Sequence, residues 1–214
     1  GPAEFANGEL HCKFTESKGA QNFLEASQNT PSGNEVGLIL CRGAADSAYW
    51  FVVFTFDESG YVKDDEKKDL DAGKLLKAMQ DGTEADNANR RSRGWDELEV
   101  IGWERPPYYD AATNNLTWST RLRVKASTSE SINHSVRLLG RRGVMHVDLV
   151  ADPADMADAL PRFDNIITDY SYLSGSKYSE WQKGDKVAKY GLTALILGGA
   201  GAAAFNLGFF GKAW

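Results

Sequence analysis

The chain has 214 residues, 42% hydrophobic and 25% charged, with a net charge of -6 and an isoelectric point near 5.2. Such a chain buries a substantial core, as one large domain or as a domain with an appendage, so disorder is excluded. The acidic balance argues against a nucleic-acid binder, which needs a basic face for phosphates.

Residues 1–5 (GPAEF) have the look of a protease-cleavage and cloning scar and are set aside from the fold reading. Residues 9–14 are then a short strand and 17–26 a helical turn or two, with Phe23 and Leu24 inward. The cluster TPSGN is a turn, and 36–42 is a strand. Residues 48–56 (AYWFVVFTF) are apolar on both faces, as in a central strand covered on both sides. An acidic loop (57–71) leads to Asp71, placed to cap a helix through Leu75, Leu76 and Met79. Gly82-Thr83 is a point where that helix could break before it continues to about residue 93. Residues 97–105 are a strand, and the prolines of RPPYYD predict an extended loop held out of helix and sheet. Residues 116–124 alternate as a strand. Asp152-Pro153 predicts a helix start by N-cap and first-turn proline, with Met156, Leu160, Phe163, Ile167 and Tyr170 on one face and a kink at Pro161.

Residues 131–150 read as a β-hairpin turning at Gly140-Arg141-Arg142-Gly143. Pairing Leu139 with Val144 puts Val136, Leu138, Met145, Val147 and Leu149 on one face and Asn133, Ser135, Arg137, His146 and Asp148 on the other. Arg137 then stands opposite His146 and diagonal to Asp148. One face is expected to be buried and the other polar, either a solvated face of ordinary charge pairs or a binding face. The fold class is α+β: a mostly antiparallel twisted sheet with inserted and appended helices.

Residues 191–210 carry no charge, but they are rich in glycine and alanine. Three readings stay open: a transmembrane helix, a small-residue helix packed on the domain, or an interfacial segment before an anchor. The domain plan is an α+β domain over 8–175 and a linker with an apolar C-terminal helical segment over 176–214, membrane-proximal or membrane-inserted.

GYVKDDE (60–66), VIGWERPPYYD (100–110), Leu116-Thr117-Trp118, NHSVRLLGRRGV (133–144) and DKVAKYGLTALILGGAGA (185–202) occur in that order. Together they resemble a bacterial family of uncharacterised membrane-anchored proteins of unknown function, over about residues 8–202. The resemblance implies a bacterial cell-envelope protein anchored in the inner membrane, with its soluble domain in the periplasm. It carries over no activity and no catalytic residues. This sequence stops at Trp214, where related chains continue into a further apolar segment.

The residues offer few signatures of chemistry. Cys12 and Cys41 lack a metal or redox spacing, and either a disulfide or two buried thiols fits them. Asp64, Asp65 and Glu66 are weak candidates for a divalent cation, against a solvated loop before a helix N-terminus. His134 and His146 point to opposite faces, which disfavours a zinc site using both. No hydrolase elbow, phosphate loop or dinucleotide fingerprint is present. Trp103, Tyr108 and Tyr109 could form an aromatic contact loop or pack over a sheet edge. Arg121 and Arg123, with Lys125 on the same strand, could join Arg137 on one basic polar face that meets an anionic envelope component or acidic partner, or be paired by Glu97 and Glu99.

The expectation is a non-enzymatic binding or scaffolding module for a membrane or periplasmic partner. It has no cofactor, and its candidate contacts are Arg121, Arg123, Arg137, His146, Trp103, Tyr108 and Tyr109. Self-association through the C-terminal helix is a further possibility. The competing expectation is an envelope hydrolase acting on a cell-wall or lipid component through carboxylate acid/base chemistry.

Overall fold

The computed structural model describes the backbone of residues 3–7, 10–43 and 49–198, and the side chains of 12–43 and 49–198. In chain order come β1 (Ala3–Asn7), β2 (Leu10–Glu16), α1 (Ser17–Ala26), β3 (Glu35–Arg42) and β4 (Tyr49–Asp57). A 3-10 turn (Asp65–Lys68) precedes α2 (Ala72–Ser92), β5 (Leu98–Asp110), β6 (Asn115–Val124), β7 (Glu130–Leu139) and β8 (Val144–Ala151). Helix α3 (Met156–Asp169) and a short α4 (Leu192–Leu197) follow. Among the described residues the strands make one antiparallel sheet of eight, in the order β1-β2-β3-β4-β8-β7-β6-β5.

Both faces of the sheet are covered. On one, Trp50, Val52, Val136, Leu138, Val147 and Leu149 pack against Ala159 and Phe163 of α3, with Met156, Leu160, Ile167 and Tyr170 at the margin. The other face carries two separate apolar clusters. Helix α1 lays Ala20 and Leu24 on Leu38, Phe51, Val53 and Val150. Helices α2 and α4 lay Leu75, Met79, Leu192, Leu195 and Ile196 on Val100, Leu116, Trp118, Leu122 and Leu139. Strand β4 is the doubly covered central strand its composition predicts.

The hairpin has the expected register, with Leu139 opposite Val144 and Arg137 opposite His146. Its two turn glycines are required by close approach. A Cβ at Gly143 would lie 2.2 Å from the Asp57 carbonyl oxygen, and one at Gly140 would meet the Tyr172 ring at 2.6 Å. Tyr172 locks the base of the turn, its hydroxyl donating to Leu138 O and accepting from Met145 N.

Several local expectations are corrected. The RPPYYD stretch is not a loop but the second half of β5, interrupted by bulges. An edge strand tolerates proline because its outward amides need no partner. Helix α2 runs through Gly82-Thr83 unbroken: Asp71 Oδ1 caps Lys74 N, and Asn87 exchanges two bonds with the Leu98 backbone, tying the helix to β5. Helix α3 opens at Met156 rather than after Asp152-Pro153, because Asp152 O first closes a turn onto Asp155 N. Pro161 lies inside α3.

The stretch after residue 175, read above as a linker, is bonded to the domain. Tyr61 and Val187 form a parallel bridge, Tyr178 Oη donates to Val62 O, and Arg141 makes a bidentate pair with Asp185 at 2.6 and 2.9 Å. Glu66 accepts from Thr193 N at the start of α4, and Gly198, at φ 97°, closes that helix. Among the described residues no helix is long and apolar enough to cross a membrane. Residues 199–210 of the apolar stretch lie outside the described residues.

Candidate functional site

The polar side of the hairpin is not a solvated face. Asn133, Ser135, Arg137 and Asp148 are all buried, in the seam between the α1 cluster and the α2–α4 cluster. The strip is held by its own bonds. Asp148 Oδ1 accepts from Ser135 Oγ at 2.5 Å and from Arg137 Nη1 at 2.9 Å, and the guanidinium stacks 4.7 Å from the Trp118 ring centroid. A buried pair of this kind exists because each member removes the other's unpaired charge. Beside it, burial and the Arg137 charge hold the His146 imidazole well below its ordinary pKa.

The expected union of Arg121 and Arg123 with Arg137 fails. The β6–β7 register sets Leu116 beside Arg137 and Trp118 beside Ser135, so the apolar side of β6 shares a face with the polar side of the hairpin. Arg121 and Arg123 go to the α3 side, where Arg121 pairs with Glu104 and both pair with Glu130. Lys125 pairs with Glu84 and Glu97.

The aromatic stretch is likewise split. Trp103 turns inward, its Nε1 donating to Ala72 O, and Tyr109 packs on the α2–α4 cluster. Burial pushes the Tyr109 hydroxyl up to about 12. Tyr108, 60% exposed, pairs with Thr117 on the opposite side. Of the acidic run, Asp64 pairs with Lys67, Glu66 caps α4 and Asp65 is exposed. Among the described residues no three His, Cys, Asp or Glu side chains are grouped to hold a metal. Cys12 and Cys41 are directly opposed on β2 and β3 and form a disulfide.

Two further groupings draw on residues distant in sequence. Tyr61 stacks on Tyr178 at 4.4 Å and meets Trp181 at 5.5 Å, with Tyr109 and Asp64 close to Tyr178. Trp181 keeps 39% of its surface open while Tyr61 and Tyr178 are half-buried, so the cluster meets solvent through Trp181. On the α3 side Ser119 Oγ lies 2.6 Å from His134 Nδ1, under the edge of the Phe163 ring. Burial, with the Arg105 charge adding, lowers His134 to about 4. Both residues are at most 3% exposed, which makes the pair a satisfied core contact rather than an accessible nucleophile. Alternation along one strand would have flagged neither grouping.

Residues 7–214 match the family described as "Protein of unknown function (DUF2167)". The chain belongs to this family. No curated protein and no solved structure matches it. The likeness to an uncharacterised family read from the ordered motifs is therefore correct, and the match covers β2–β8, the helices and the wrap of residues 176–198.

Proposed function

We propose that this family member is the extracytoplasmic domain of a membrane-anchored bacterial envelope protein, and that it is a non-enzymatic binding or scaffolding module for a membrane or periplasmic protein. The observation that carries the binding reading is the cluster of Tyr61, Tyr178 and Trp181, which meets solvent through Trp181. Exposed aromatic groups on a rigid base are what protein interfaces use as anchors, since they offer large contact area at small entropic loss. Here the base is rigid because the Tyr61–Val187 bridge and the Arg141–Asp185 pair fix both strands of chain that carry the rings. The compartment is supported by the Cys12–Cys41 disulfide, a bond that persists in oxidising surroundings. The basic residues first grouped with this role are a weaker choice, because Arg121 and Arg123 are engaged by their own glutamates.

A hydrolase is the second reading, and one observation favours it. Partial burial, aided by the neighbouring Asp155, raises the Asp152 carboxyl, the direction a general acid needs.

The test is a cross-linking pull-down from native membranes with the anchored full-length protein as bait. A partner recovered by wild type and by an Arg121→Ala/Arg123→Ala variant, but lost by Trp181→Ala, is the expected result. Equal recovery with Trp181→Ala removes the aromatic cluster from the role.

A further inference from the structure

The hydrogen bonds of the buried strip do not close. Arg137 is 4% exposed, and its Nη1 is spent on Asp148 Oδ1 and Val136 O. Its Nε is buried with no partner. His146, the residue directly opposite on β8, has a buried Nε2 that also lacks a partner. Buried polar atoms almost always find a partner, and leaving one unmade costs about 1–3 kcal/mol, more for a charged group. Two such atoms on opposed residues of one sheet face therefore call for something that both can bond.

The chemistry of the strip says what. Arg137 Nε is an obligate donor. Asp148 is already occupied at Oδ1 by Ser135 and Arg137, so the negative charge closest to the pair is largely compensated. Thr55, opposite His146 on β4, brings no charge, and Leu116, beside Arg137 on β6, brings none either. A neutral imidazole with its proton on Nε2 supplies a second donor. His146 is half-buried as a residue, while its Nε2 and the Arg137 Nε are both closed to solvent.

We propose that Arg137 and His146 form a binding site for a small oxyanion, a carboxylate or phosphate group that accepts from Arg137 Nε and His146 Nε2 in the seam between α1 and α2. The site is separate from the aromatic cluster and stands whether or not that cluster binds a partner. Beyond the bond its Nη1 gives Asp148, Arg137 keeps an unfilled Nε donor, and a charge-assisted bond from it to an oxyanion is stronger than a neutral one.

The experiment titrates the full chain with sodium acetate and, separately, with inorganic phosphate, while sodium chloride keeps the ionic strength fixed. The histidine ring signals are followed by NMR. The expected result is a saturable movement of the His146 signal with one of the two oxyanions, no movement of His134, and an affinity at least tenfold weaker in both His146→Phe and Arg137→Lys. The second variant keeps the buried charge if the first disturbs packing. A His146 signal that does not move, that moves equally with chloride alone, or that moves with unchanged affinity in a folded variant overturns the proposal. In the first of those cases the partner of the two nitrogens is ordered water only.

Discussion

Replacing Asp148 by alanine strikes the buried strip where its bonds converge. Asp148 accepts from both Ser135 and Arg137, and the side chains of the ion pair are only 4% and 8% exposed, so solvent screens little of the loss. The substitution leaves a buried guanidinium without its counter-charge, a change that destabilises by about 3–5 kcal/mol. With a urea m-value of about 2 kcal/mol/M, the unfolding midpoint then falls by about 1.5–2.5 M at constant m. Removing both charges, Arg137→Met with Asp148→Leu, recovers most of that loss, because an apolar pair has no desolvation to compensate. Urea unfolding followed by tryptophan fluorescence reads all three chains. A midpoint shift below about 0.5 M for Asp148→Ala, on the same m-value, would mean that the strip is hydrated and that the sheet face is not sealed between α1 and α2.

Three other outcomes follow from named contacts. Cys12→Ser with Cys41→Ser opens a loop of 29 residues and lowers stability by about 3.5 kcal/mol on the chain-entropy account; urea midpoints that coincide with and without reductant would contradict it. His134 titrates near 4 in the folded chain and at about 6.5 when unfolded. Below 6.5 the unfolded chain takes up a proton that the folded chain refuses, so its contribution is complete above about 6.5 and declines by about 3 kcal/mol as pH falls toward 4. Burial shifts His146 in the same direction, so the loss from the two histidines adds; a folded His134 pKa near 6.5 by NMR would refute this. Asp71→Ala removes the carboxylate that caps Lys74 N and lowers the urea midpoint; an unchanged midpoint would show that the cap contributes nothing.

How far the sequence reached is clearest in the hairpin. Strict alternation, interrupted by a Gly-Arg-Arg-Gly turn, fixes which residues share a face, and the structure agrees residue by residue. Alternation says nothing about how one strand is offset against the next. The β6–β7 register places Trp118 beside Ser135, and that single offset sends Arg121 and Arg123 to the other side of the sheet from Arg137. Polarity also misled the burial reading. Ser135, Arg137 and Asp148 look like a solvated row because nothing local reveals that they are buried and satisfy one another. The prolines of RPPYYD exclude a helix and a central strand, but an edge strand admits them, and edge position is a property of the assembled sheet. The aromatic cluster was out of reach for the same reason. Tyr61 meets Tyr178 and Trp181 only because residues 176–198 wrap back across the acidic loop.

The binding account is tested most directly by placing a photo-crosslinking residue at Trp181 in the protein in its native cells, with a second at Asp169 on the exposed end of α3 as the control. The account predicts a discrete adduct with one partner from position 181 and none from 169. Adducts of equal yield from both positions, or from 169 alone, would contradict it and move attention to the carboxylates around α3.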